Sequence, residues 1–211
     1  IRDLTVTGVQ TCALPILSLQ SHIEFKGIPP KKELSKSLEN ISSTLEYMSE
    51  LVDEFKNFYT KDKNKSNFYI QNSIESSIKL LEHTFRHHEI KVTKEIENSY
   101  KINGYPNEFT QVILNILSNA KDILIERKIE NPSIFIKLYK KNENVILEIE
   151  DNGGGFTGQN IDDIFEQFYS HKKNQSTGIG LYMSKNIIQN RMQGKINTKN
   201  TKDGLSFKII L

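Results

Sequence analysis

Asp151-Asn-Gly-Gly-Gly-Phe156, DNGGGF in one-letter code, decides how this chain folds. The apolar run Val145-Ile-Leu-Glu-Ile-Glu150 before it reads as a strand ending on Asp151, and the three glycines that follow tolerate positive φ and let the backbone approach a ligand with no Cβ in the way. Working outward, the helical run NEFTQVILNILSNAKDIL begins upstream at Asn107, and STGIGLYMSKNII begins downstream at Ser176. A lone glycine-rich loop says little. An asparagine-bearing helix, an Asp-x-Gly-x-Gly turn and a Gly-x-Gly turn opening a second helix, in this order, read as parts of one nucleotide site.

Each part has its own chemistry. Asn115 and Asn119 are four residues apart and share a helix face, while Val112, Ile113, Ile116 and Leu117 supply the buried side. An amide carbonyl oxygen suits Mg²⁺, which takes oxygen ligands and is commonly shared between protein and phosphates. Asn119 is therefore the candidate metal ligand and Asn115 lies by the phosphates; the plain alternative is two polar positions on a solvated face. The Asp151 carboxylate can accept a hydrogen bond from an exocyclic amine, which adenine carries, with Gly153 and Gly155 giving the base room. The alternative is a hairpin turn with a capping Asp. At Thr177-Gly178-Ile179-Gly180-Leu181 a flexible turn leads into a helix whose first N–H groups and positive end can meet phosphate. Lys172 and Lys173 add charge just upstream, or are simply solvated. Phe165 and Phe168, spaced as helix neighbours, anchor this loop or serve as plain core. Such a site calls for ATP and Mg²⁺.

Composition sets outer limits. The chain has 211 residues, 36% of them hydrophobic, enough for a real core in one or two domains. With 28 basic and 26 acidic residues the formal charge is +2, which gives no broad electrostatic footprint for nucleic acid or an anionic membrane. A single cysteine, Cys12, permits no internal disulfide and is compatible with a cytoplasmic setting. No window approaches the roughly 20 apolar residues of a membrane span, so no membrane contact is expected from this segment, although the native protein can be anchored upstream.

From Lys31 to Tyr59, Leu34, Leu38, Ile41, Leu45, Met48, Leu51, Val52, Phe55 and Phe58 recur at three- and four-residue steps, predicting a long amphipathic helix with a near-heptad stripe. Such a stripe needs a neighbouring helix or a second subunit. Gly27-Ile-Pro-Pro30 punctuates its start, and an αα-hairpin fits, with residues from about Leu17 to Lys26 as the tail of a first helix. Thr60 to Asn67 is polar and reads as a linker. Beyond it the patterns predict strand 68–70, helix 74–88, strand 90–96, helix 107–128, strands 133–140 and 144–151, a mobile stretch near 169–177, helix 180–191, and strands 195–200 and 206–211. Two consecutive strand pairs point to a mixed sheet covered by helices on one face.

These motifs resemble those of sensor histidine kinases of two-component systems, within the ATPase superfamily that also includes gyrase, Hsp90 and MutL. NEFTQVILNILSNA resembles the N box, DNGGGF the first glycine box, IFEQFYSHK the F box and STGIGLYMSKNII the second glycine box; Thr201-Lys-Asp-Gly204-Leu-Ser-Phe207 looks like a further one. The resemblance runs from about Leu17 to Leu211 and implies an α+β chain: a dimerisation and phosphotransfer hairpin, incomplete here, followed by an α/β sandwich of the Bergerat ATP-binding type holding Mg-ATP under a mobile lid. It implies a partial hairpin at 17–60, a linker at 61–67 and a catalytic domain at 68–211. It implies a homodimer through the hairpin, and phosphate passing from ATP to a hairpin histidine and then to a response-regulator aspartate. Ser176 departs from the family, whose second glycine box often begins with glycine, which implies a somewhat stiffer lid. Hydrolysing members of the superfamily place a glutamate base one turn before the metal-binding asparagine, where this chain has Asn115. That favours kinase over ATPase. The rival readings are an ATP-hydrolysing machine of the gyrase or Hsp90 type and a non-catalytic, nucleotide-gated dimerisation module.

Residues 1–16 are foreign to this pattern. They have no heptad seam, and VTGVQTCALPI looks like translated sequencing-adapter sequence fused to a truncated gene. The family's phosphoacceptor histidine, followed by a Pro-Leu pair, is expected within this stretch, which holds no histidine. His22 is followed by proline too late, at Pro29, to replace it. His83 and His87 form an i,i+4 pair with no further metal ligand apparent; His88 adjoins them, and His171 belongs to the lid.

Overall fold

The computed structural model of the chain describes residues 20, 21, 23, 29–39, 41, 42, 64–169 and 178–211. Of the expected hairpin, Gln20, Ser21, Ile23 and residues 31–39, 41 and 42 are helical; the rest of the long stripe and the foreign-looking residues 1–16 lie outside the described residues. A separate and larger compact unit comprises the described residues 64–169 and 178–211.

That unit begins with β1 (Ser66–Tyr69) and α1 (Ile70–His87), then β2 (Lys91–Ile96), β3 (Lys101–Gly104) and α2 (Pro106–Glu126). β4 (Ser133–Lys141) and β5 (Asn144–Asp151) form a hairpin, a 3-10 helix spans Ile161–Phe165, and α3 (Gly180–Asn186) passes directly into a π turn at Ile187–Arg191 before β6 (Lys195–Asn200) and β7 (Leu205–Ile210). Both long helices close alike. Ile90 N–H donates to Phe85 O and Glu89 N–H to Arg86 O at the end of α1; Ile129 N–H donates to Leu124 O and Lys128 N–H to Ile125 O at the end of α2. Glu89 and Lys128 adopt the left-handed conformation this closure requires (φ 54° and 50°), a position where glycine is commoner. Pro106 opens α2, where its missing N–H has no intrahelical partner to lose.

The main sheet has the order β2-β4-β5-β7-β6, with β2 parallel to β4 and every other pair antiparallel. Its register sets Leu138, Leu147, Ile209 and Ile196 in one inward row and Ile136, Ile149 and Phe207 in the next, all buried against Phe109, Val112, Ile113, Ile116 and Leu117 of α2. The other face carries polar residues. A cross-strand row of alternating charge, Glu95, Lys137, Glu148 and Lys208, includes ion pairs of 2.8 Å between Lys137 and Glu95 and between Lys208 and Glu148. The mixed sheet with helices on one face is thus the expected architecture.

The differences are local. β3 has no counterpart in the sequence pattern: KING holds one apolar residue, Ile102, and becomes a strand by pairing with β1 in a separate two-stranded sheet. β1 starts earlier than expected, and Ile70, read as strand, opens α1 fully buried. The expected helix 180–191 ends in a π turn, with Met192 N–H donating to Ile187 O. The wider turn leaves Ile187 and Ile188 both buried and sets Arg191 against α2, where it pairs with the buried Glu108 and lies 3.9 Å over the Tyr105 ring. Among the described residues no helix is long and apolar enough to cross a membrane.

Candidate functional site

One stripe of α2 ties the motifs together. Asn115, Asn119 and Ile123 follow at four-residue steps, about 6 Å apart along the axis. At one end the Asn115 amide donates to Gly180 O (3.0 Å) and to Ser184 Oγ (3.2 Å), fixing the first turn of α3 to α2. At the other end Ile123 packs on Gly153 so tightly that a Cβ there would sit 2.3 Å from Ile123 Cγ2. Asn119 lies between, half-buried, its side chain making no hydrogen bond among the described residues. Both Asn115 bonds use the amide nitrogen, which leaves Oδ1 to accept.

Asp151 closes β5 opposite Ile134, only 7% exposed, and accepts from Gly153 N–H at 2.8 Å. Burial holds its carboxyl above the ordinary aspartate range, against the opposing pull of the Gly153 and Leu205 N–H groups and the Arg127 guanidinium. A carboxyl with a raised folded pKa binds more protons folded than unfolded between the two values. Its stabilising contribution is therefore full below the unfolded pKa and lost as pH rises through the folded one, so at neutral pH the ionised group weighs on the empty fold. Asp151→Asn is accordingly expected to leave the unliganded protein at least as stable at pH 7 and to flatten this part of its stability–pH curve. A lower Tm at pH 7 with an unchanged acid limb would contradict that assignment.

Side chains that the motifs did not announce hold the glycine turn. Arg127, at the end of α2, donates from Nη1 to Gly153 O (2.6 Å) and Gly155 O (2.9 Å). Asn200, ending β6, accepts from Phe156 N–H at 2.7 Å and donates to Phe156 O at 2.9 Å. Asn152 Oδ1 accepts from Ser133 N–H (2.8 Å), and Gly154 N–H donates to Asp203 O (2.8 Å). Gly154 and Gly155 have φ of 84° and 69°, which explains the glycines. Asn200 directly precedes the Thr201–Phe207 motif and could have been sought there; Arg127, in a polar helix end, has no sequence signal.

The remaining predicted positions divide. Phe165 is buried in the core, edge-on to Phe207 with ring centroids 6.2 Å apart, whereas Phe168 is half exposed with φ 62°. The two do not share a helix face, because the 3-10 helix stops at Phe165. Phe168 N–H donates to Gly178 O at 3.0 Å, so the chain on either side of 170–177 is clasped at this point, and Gly178 (φ 64°) has backbone where a Cβ would go. Leu181 packs partly buried against the core, one residue into α3. Lys172, Lys173, Thr177 and His171 lie outside the described residues. No cluster of three metal-binding side chains of the His, Cys, Asp or Glu type occurs among the described residues; the metal site expected from the sequence uses an amide oxygen instead.

Residues 104–211 match the family model of the histidine kinase-, DNA gyrase B-, and HSP90-like ATPases. The chain belongs to this family. Among relatives of this chain, the sensor protein ChvG of Agrobacterium fabrum is 30% identical over 112 residues, 51% of this chain and 18% of that protein. The signal transduction histidine-protein kinase ArlS of Staphylococcus aureus is 29% identical over 213 residues, 93% of this chain and 45% of that protein. The chain thus spans under half the length of these curated relatives. In fold it is similar to histidine kinase ThkA, solved in complex with the response regulator protein TrrA, with a TM-score of 0.70 at 22% identity over 99% of this chain and 60% of that one. The α+β fold is that of histidine kinase catalytic domains, and the family match describes an ATPase domain of the kind shared by histidine kinases, DNA gyrase B and HSP90.

Proposed function

We propose that this chain is the catalytic end of a sensor histidine kinase, with residues 68–211 binding Mg-ATP and residues 17–60 contributing to a helical dimerisation hairpin. One observation carries the nucleotide reading: Asn119, its side chain without a hydrogen bond among the described residues, lies on the α2 stripe between Gly180, where α3 begins, and Gly153, where the Asp151 turn begins. Asn119 Oδ1 would hold Mg²⁺, which would supply positive charge to neutralise the phosphates. Asn115 and the N–H groups at Gly178, Gly180 and Leu181 would face the phosphates, joined by Thr177 and Lys172, with Phe165 and Phe168 supporting that side. Asp151 would accept from the adenine amine beside Gly153 and Gly155. Asp151→Asn presents an amide NH₂ to that amine, donor against donor, and is expected to weaken ATP binding roughly tenfold or more.

Kinase is favoured over hydrolysis by Asn115. An amide takes no proton from water, and this one is engaged in holding α3. The γ-phosphate would be kept for a hairpin histidine in the intact dimer and passed to a response-regulator aspartate, a partner class that the ThkA–TrrA complex makes natural for a chain of this family. The expected acceptor position falls within residues 1–16, which contain no histidine, so this chain is expected not to label itself. Incubation with γ-labelled ATP checks both points. Little free phosphate and no acid-labile protein label are expected. Rapid phosphate release would move the chain to the hydrolysing branch, and acid-labile label would place an acceptor histidine within it.

A further inference from the structure

Of the groups around the glycine turn, Arg127 is the one whose position neither the motifs nor the nucleotide reading accounts for. Its Nη1 alone makes both bonds to the turn, to Gly153 O at 2.6 Å and to Gly155 O at 2.9 Å, while the guanidinium lies 3.1 Å from where a Gly154 Cβ would be. A single donor atom thus spans the outer carbonyls of all three glycines. Gly153 in turn fixes the carboxylate through its N–H, at 2.8 Å from Asp151 Oδ1. The peptide that presents its carbonyl to Arg127 follows directly on the residue that presents its N–H to Asp151. The rest of the turn is held from β6 by Asn200 and from Asp203, but those bonds act on Phe156 and Gly154 and not on Gly153.

Resting on the reading of Asp151 as the adenine acceptor, we propose that Arg127 is a positioning residue for base selection: it clamps the Gly153 and Gly155 carbonyls so that the Asp151 carboxylate is held where an exocyclic amine must donate. Arg127 touches neither base nor phosphate in this account. Its guanidinium also favours the ionised carboxylate, the form that accepts from an amine. Because one nitrogen makes both contacts, a lysine ammonium, a point donor with three hydrogens, can replace it, whereas methionine keeps the stem and loses the donor.

The test compares the affinities of ATP and of purine riboside triphosphate, which lacks the exocyclic amine, for the unmodified chain, Arg127→Lys and Arg127→Met. The unmodified chain is expected to prefer ATP by about tenfold, the size of one hydrogen bond to a charged acceptor. Arg127→Met is expected to lose most of this preference while still binding the amine-free nucleotide, and Arg127→Lys to keep it. Arg127 is exposed at a helix end, so neither variant should unfold the chain; a thermal melt verifies this. A preference retained in Arg127→Met, or an equal loss of both nucleotides, overturns the positioning role alone. An unmodified chain without preference overturns the Asp151 reading, and the inference with it.

Discussion

Asn119→Ala is expected to abolish Mg-dependent ATP binding, lowering affinity by at least about 100-fold, while leaving the fold intact. The structural part follows from position. Asn119 makes no hydrogen bond among the described residues, sits mid-helix in α2, and gives way to the best helix former, so the melting temperature should hold or rise slightly. The functional part follows from chemistry. Removing the amide removes the oxygen that Asn119 places between Asn115 and Ile123. A titration showing unchanged affinity would remove Asn119 from the site. A fall in affinity that is the same with and without Mg²⁺ would instead make it a phosphate contact.

The second large effect is on the fold of the site. A Cβ on Gly204 would lie 1.7 Å from Asp151 O, 2.5 Å from Asp151 C and 2.9 Å from Asn152 Cα. All three are backbone atoms of the strand end that carries the candidate adenine acceptor, and no rotamer change can clear them. Gly204→Ala must therefore push β5 and the β6–β7 connection apart, at about 3 kcal/mol or more, or roughly 10 °C in Tm. ATP binding should fall with it. Gly154→Ala is the internal comparison: its φ of 84° strains an alanine, but its Cβ would meet only the Arg127 side chain at 3.1 Å, so about 1 kcal/mol is expected. Equal melting temperatures for the two variants would show that the Gly204 contact relaxes freely.

The motifs announced themselves because each depends on local chemistry. Asn115 and Asn119 four residues apart, three glycines after an apolar strand and a glycine opening α3 are legible from spacing and backbone permissiveness. The alternating strands β4 and β5 carry their own period and were placed to within a residue. What escaped depends on partners distant in sequence. KING became β3 through pairing with residues 66–69, and the π turn at 187–191 accompanies the packing of two adjacent isoleucines and an ion pair to Glu108. Arg127 and Asn200 gained their roles from carbonyls and N–H groups of a turn 26 to 44 residues away. Phe165 and Phe168 were separated by the end of a 3-10 helix that spacing alone does not reveal.

The central claim is that α2, the Asp151 turn and the start of α3 form one Mg-ATP site. Calorimetric titration of the unmodified chain with ATP, in the presence of Mg²⁺ and then with the metal chelated, tests it most directly. Saturable binding at one site per chain, weakening markedly without Mg²⁺, is expected. Absence of saturable binding under both conditions would contradict it.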